Sequence, residues 1–67
     1  MTMGQAVDAA IQKHETSCPG SKVYVVRRVS LDKVARVGVE RYLVELDATH
    51  FSVPVVIFVT RQMVDKL

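Results

Sequence analysis

His14 and Cys18 stand four residues apart and His50 follows later, so a zinc-type donor set is the first chemistry to weigh. Asp47 or Glu15 would complete a tetrahedral ligand set with them. The spacing argues against it, because there is no C-x-x-C pair and Pro19 breaks the chain beside Cys18. Simpler roles suit each residue: His14 closes an apolar stripe, Cys18 is a small thiol suited to burial, and His50 belongs to a turn. Cys18 and His14 do not make a nucleophile pair either, since nothing supplies an oxyanion hole or a third orienting group. Gly4, Gly20 and Gly38 are too scattered for a phosphate loop. Glu40 and Glu45, five apart on one expected strand, fall on opposite faces and cannot share acid–base work unless a bulge intervenes. The chain therefore reads as non-enzymatic, with no catalytic residue, no cofactor and no metal site expected.

The arginines offer a different chemistry. Arg27, Arg28, Arg36 and Arg41 could form a basic stripe for phosphates, which makes a nucleic-acid-binding domain the alternative reading. Sheet platforms for single-stranded RNA use exposed aromatics, and only Tyr24 and Phe58 are offered here. The net charge is +2, with nine basic and seven acidic residues interspersed, too balanced to imply nucleic acid by electrostatics alone. Arginines that pair with carboxylates or snorkel over apolar neighbours account for the same residues.

The elements that must position these side chains follow from periodicity. Residues 51–60, Phe-Ser-Val-Pro-Val-Val-Ile-Phe-Val-Thr, are rich in β-branched and aromatic side chains and read as a strand. Its odd positions are all apolar, and so are Val56 and Phe58, so it wants cover on both faces. Ten residues are too few to span a bilayer as a helix, and no membrane association is expected. Thr2 and Gln5 fit a capping box, and Met3, Val7, Ala10, Ile11 and His14 recur at helical spacing, predicting a helix over 3–16. Thr16 to Ser21 contains the breakers Pro19 and Gly20. Strands are expected at 22–30, 37–47 and 51–60, joined by connections short enough for antiparallel neighbours. Residues 61–67 are either a tail or a short helix. The predicted fold class is α+β: one N-terminal helix packed on a three-stranded antiparallel meander, as a single domain over 1–67.

Centring each connection pairs Val23 with Val44, Arg27 with Glu40, Leu46 with Phe51 and Val44 with Val53. One face then holds Val23, Val25, Val29, Tyr42, Val44, Leu46, Phe51, Val53, Val55, Ile57 and Val59, and the helix covers it. The second face holds Tyr24, Val26, Arg28, Val37, Val39, Arg41, Leu43, Val56 and Phe58. Tyr24, Val26, Arg28, Val39, Arg41, Leu43, Val56 and Phe58 are the candidate partner-binding residues, since apolar surface mixed with aromatics and arginine marks interaction sites.

Size points to the same place. A chain of 67 residues is near the lower limit for a self-sufficient core, and its single cysteine excludes an internal disulfide. Oligomerisation is then the favoured staple, most simply a homodimer through the second face or an open strand edge, with another protein as a further partner. A lone thiol and the absence of a basic–apolar leader lead to a cytoplasmic expectation.

The order helix, turn, hairpin, hairpin resembles the cystatin family. The likeness lies in Ala6-Val7-Asp8, Val34-Ala35-Arg36-Val37-Gly38 and Tyr42-Leu43-Val44-Glu45-Leu46. It implies a helix lying across an antiparallel sheet and, if complete, a protein-binding inhibitor. The family's Gln-x-Val-x-Gly hairpin is altered, with Val34 in place of Gln and Arg36 in place of the central Val. The resemblance thus implies the layout and not the inhibitory activity. The order α-β-β-β also resembles a double-stranded-RNA-binding domain, but only Arg61 and Lys66 are basic where that family is lysine-rich.

Overall fold

Thr2 begins the first helix as its capping box predicts. The Thr2 hydroxyl accepts a hydrogen bond from the Gln5 N–H at 3.1 Å, and the Gln5 side-chain oxygen accepts one from the Thr2 N–H at 2.9 Å. Two donors that no helical carbonyl can reach are thereby satisfied. The computed structural model describes residues 1–32 and 40–66, and in it helix α1 runs over Met3–Ser17. At its end the Cys18 N–H donates to the His14 carbonyl at 2.9 Å, and Gly20 turns the chain at φ 91°, a backbone conformation that a side chain would strain.

Strands β1 (Val23–Leu31), β2 (Arg41–Ala48) and β3 (Val55–Thr60) form an antiparallel sheet in the order β1-β2-β3. A short helix α2 (Arg61–Asp65) follows directly from β3. The α+β meander behind one helix is therefore present as predicted, with the terminal helix added.

The core sits between α1 and one face of the sheet. It contains Ala6, Ala9 and Ala10 from the helix, Val44 and Leu46 from β2, and Ile57 and Val59 from β3. The buried stripe of α1 differs from the expected one. Ala10 and His14 are buried as expected and Ile11 packs against the core, but Met3 is 54% exposed and Ala6 and Ala9 join the contact. Side chains this small let the helix approach the sheet closely, so packing selects them over bulkier neighbours. Met63 and Val64 of α2 pack against the same core. Residues 61–66 therefore lie on the helix side and do not fold over the other face. No helix among the described residues is long and apolar enough to cross a membrane.

The register is shifted from the expected one. Leu46 pairs with Val55 rather than Phe51, Val44 with Ile57 rather than Val53, and Val23 with Ala48 rather than Val44. The reason lies at the second turn. Residues 49–54 form a loop, with His50 at φ 71° and the Phe51 N–H bonded to the Ala48 carbonyl at 3.3 Å, so β3 begins only after Pro54. A shift of four is even, so β2 and β3 keep the predicted faces. Phe51 and Val53 leave the expected core with the loop and are 41% and 67% exposed.

On β1 the faces do change. Its pairing steps irregularly between Val23 and Val25 and again between Val26 and Arg28, leaving Tyr24 and Arg27 as extra residues. Each such bulge reverses the alternation once and tightens the twist. Val25, expected in the core, stands opposite Asp47, and Val26, expected on the second face, stands opposite buried Leu46. After two reversals Arg28 and Val29 recover their predicted sides.

Candidate functional site: the outer face of the sheet

The chemistry-bearing residues of the helix end form a structural clasp. Ser21 is 2% exposed and His14 is 4% exposed. The Ser21 hydroxyl donates its one proton to the Thr49 carbonyl at 2.6 Å. Its contact with His14 Nε2 at 2.9 Å is then one in which the imidazole N–H donates. This polarity is the reverse of an activated nucleophile, whose histidine must accept the hydroxyl proton. The Lys22 N–H donates to the Thr49 hydroxyl at 2.8 Å, and the Thr49 N–H donates to the Lys22 carbonyl at 2.9 Å. The Val23 N–H donates to Glu15 at 3.1 Å, and the Phe51 ring meets the His14 ring edge-on at 5.0 Å. Together these contacts tie the end of α1 to the start of β1 and to the β2–β3 loop. His50 is exposed in its turn, and no group of three or more His, Cys, Asp or Glu among the described residues is placed to hold a metal.

The side of the sheet away from α1 is different in kind. β2 places Arg41, Leu43, Glu45 and Asp47 there, alternate to its buried Val44 and Leu46. β3 adds Val56 opposite Glu45 and Phe58 opposite Leu43, and β1 adds Val25, Arg28 and Ser30 opposite Asp47, Glu45 and Leu43. Val56 is 50% exposed and Phe58 45%, and no helix or strand among the described residues covers them. Tyr24, at the first bulge, is also exposed.

Charge on this face is paired within the chain. Both carboxylate oxygens of Asp47 accept from Arg27 Nε, at 2.8 and 2.7 Å. That hydrogen bond, with the attraction of the Asp47 charge, holds the Arg27 guanidinium above its ordinary pKa. Arg28 reaches Glu45 at 3.9 Å, the carboxylate directly across from it. Arg41 Nε donates to Asp32 at 2.7 Å, and its guanidinium lies over the Phe58 ring, 4.6 Å from the centroid. The expected Arg27–Glu40 pair does not form. Under the shifted register Arg27 meets Asp47, while Glu40 lies 3.8 Å from Arg61. Such an outer face can bind by apolar contact and by cation–π stacking.

Of the residues proposed from sequence, Arg28, Arg41, Leu43, Val56 and Phe58 share this face. Val26 is the correction, turned to the helix side by the bulges and 40% exposed at the edge strand. Val39, Arg36, Val37 and the segment resembling the cystatin hairpin lie outside the described residues. Sequence reasoning missed Val25 as a member and missed the His14–Ser21–Thr49 clasp. The clasp had one local signal, a histidine ending an apolar stripe seven residues before a serine. An open groove between α1 and α2, lined by Ala9, Gln12, Lys13, Thr16, Ser17, Met63 and Lys66, completes the surface. Comparison of the chain with protein-family models, with curated proteins and with solved structures finds no match.

Proposed function

We propose that this chain is a non-enzymatic protein-binding module that engages a partner through the outer face of its sheet, centred on Leu43, Val56 and Phe58. One observation carries the reading: two half-exposed apolar side chains stand side by side on an uncovered sheet. Burying a side chain such as Val or Phe gains roughly 1.5–3 kcal/mol, so covering this patch is worthwhile for any partner of matching shape. The neighbouring arginine stacked on Phe58 adds a residue type enriched at interface hot spots. Ion pairing favours a protein partner over nucleic acid, because phosphate would have to displace Asp47, Glu45 and Asp32 from Arg27, Arg28 and Arg41. With Cys18 as its single cysteine, such a module suits the reducing cytoplasm.

The test uses Phe58→Glu, which changes an exposed side chain and should leave the fold intact. Affinity capture with the wild-type chain should retain a protein that the variant loses, while both elute early from heparin. Retention on heparin that falls steeply with salt, at a slope reduced by Arg28→Ala and unchanged by Phe58→Glu, would favour the nucleic-acid reading instead.

A further inference from the structure

Building on the docking face proposed above, we infer that its occupant is a second copy of this chain, packed face to face about a two-fold axis that crosses the strands near Ile57. A two-fold interface brings each patch against itself, so like charges meet unless the patch is neutral. Among the described residues, the arginines Arg27, Arg28 and Arg41 at this face contact the carboxylates Asp47, Glu45 and Asp32 of the same chain. Among the described residues such a face carries balanced charge, which favours neither an acidic nor a basic partner and does not repel its own copy. Its apolar part is one-sided, lying on β3 at Val56 and Phe58 and next to Leu43 of β2. An axis across the strands lays β3 over the partner's β3, so Phe58 of one copy meets Val56 of the other and the arginine-rich β1 edges coincide at the rim.

Dimensions agree with this arrangement. The shortest extent of the chain is 16 Å, room for one helix layer on one sheet layer, and a second copy supplies the missing cover. The three strands, of six to nine residues, make a face roughly 20–30 Å by about 14 Å, smaller than the ~800 Å² per partner that standard interfaces bury. The dimer is therefore weak and dissociates on dilution.

Sedimentation equilibrium over a concentration series tests it. Wild type should show a reversible monomer–dimer equilibrium. Phe58→Glu and Val56→Lys should each raise the dimer dissociation constant at least about tenfold, with circular dichroism unchanged. Mixing these two variants should restore a one-to-one dimer, because Glu at 58 of one chain then faces Lys at 56 of the other. Leu43 on the central strand is out of reach of an edge-paired copy, so a Leu43→Glu variant that stays dimeric overturns the face-to-face geometry in favour of edge pairing. A wild type that stays monomeric at millimolar concentration overturns the second copy as occupant. If that monomer still captures a protein that Phe58→Glu loses, the docking face stands without self-association; equal capture by both overturns the face as well.

Discussion

Replacing Ser21 by Ala removes one hydroxyl from a site where it serves two groups at once. The His14 ring is 4% exposed and donates to that oxygen at 2.9 Å, while the Thr49 carbonyl accepts its proton at 2.6 Å. Leaving a buried donor without a partner costs about 1–3 kcal/mol. The carbonyl contributes less, because Thr49 is an exposed residue and water can reach it. The net loss should therefore be close to the cost of the imidazole N–H alone, about 1–3 kcal/mol. For a domain of this size each kcal/mol moves Tm by ~4–8 °C, so thermal unfolding should show a drop of roughly 5–20 °C. The double variant His14→Phe/Ser21→Ala removes the stranded donor as well and keeps an aromatic ring beside Phe51. Replacing both partners of a buried hydrogen bond with apolar groups is often nearly neutral, so this variant should recover most of the loss. A Ser21→Ala protein within about 0.5 kcal/mol of wild type, or a double variant less stable than either single one, would refute the clasp as a source of stability.

Other substitutions probe the core, the turn and the outer face. Leu46→Ala deletes a fully buried side chain at the centre of the sheet and should cost about 2–5 kcal/mol. That is a large share of the ~3–10 kcal/mol typical of a chain this long, so the midpoint of urea unfolding should fall steeply relative to wild type. Gly20→Ala meets no neighbour but is forced to φ 91°, so it should lose about 1–2 kcal/mol of stability in the same assay. Arg27→Ala breaks an exposed ion pair and should lower Tm slightly, by an amount that vanishes in high salt. The Arg27 pKa is raised on folding, so its contribution is full below the unfolded value and fades only as pH rises through the folded one. The Tm difference contributed by Arg27 should therefore be flat across the neutral range, and one that grew towards acid would have to come from another group.

Much of the architecture was legible because it rests on local chemistry. The capping box at Thr2 and Gln5, the breakers at Pro19 and Gly20, and the apolar alternation of 55–60 are each satisfied within a few residues. That short-range logic determined one helix, an antiparallel meander and an uncovered second face bearing Arg41, Leu43, Val56 and Phe58. Register was not legible, because several offsets of β3 against β2 place valines opposite valines and only the conformation of the 49–54 loop distinguishes them. The even shift preserved the faces of β2 and β3, whereas two single-residue bulges in β1 exchanged Val25 and Val26. Alternation along one strand carries no record of where its neighbour's hydrogen bonds will skip a residue. The helix stripe was legible in part: Ala10 and His14 are buried as their spacing predicts, whereas Ala6 and Ala9 are unremarkable as sequence and become the contact only because a sheet lies close enough to need small side chains. Pairing of Arg27 with Asp47 and of His14 with Ser21 joins residues that only the closed fold brings together. Tertiary structure thus decided which described charges on the outer face are already paired within the chain.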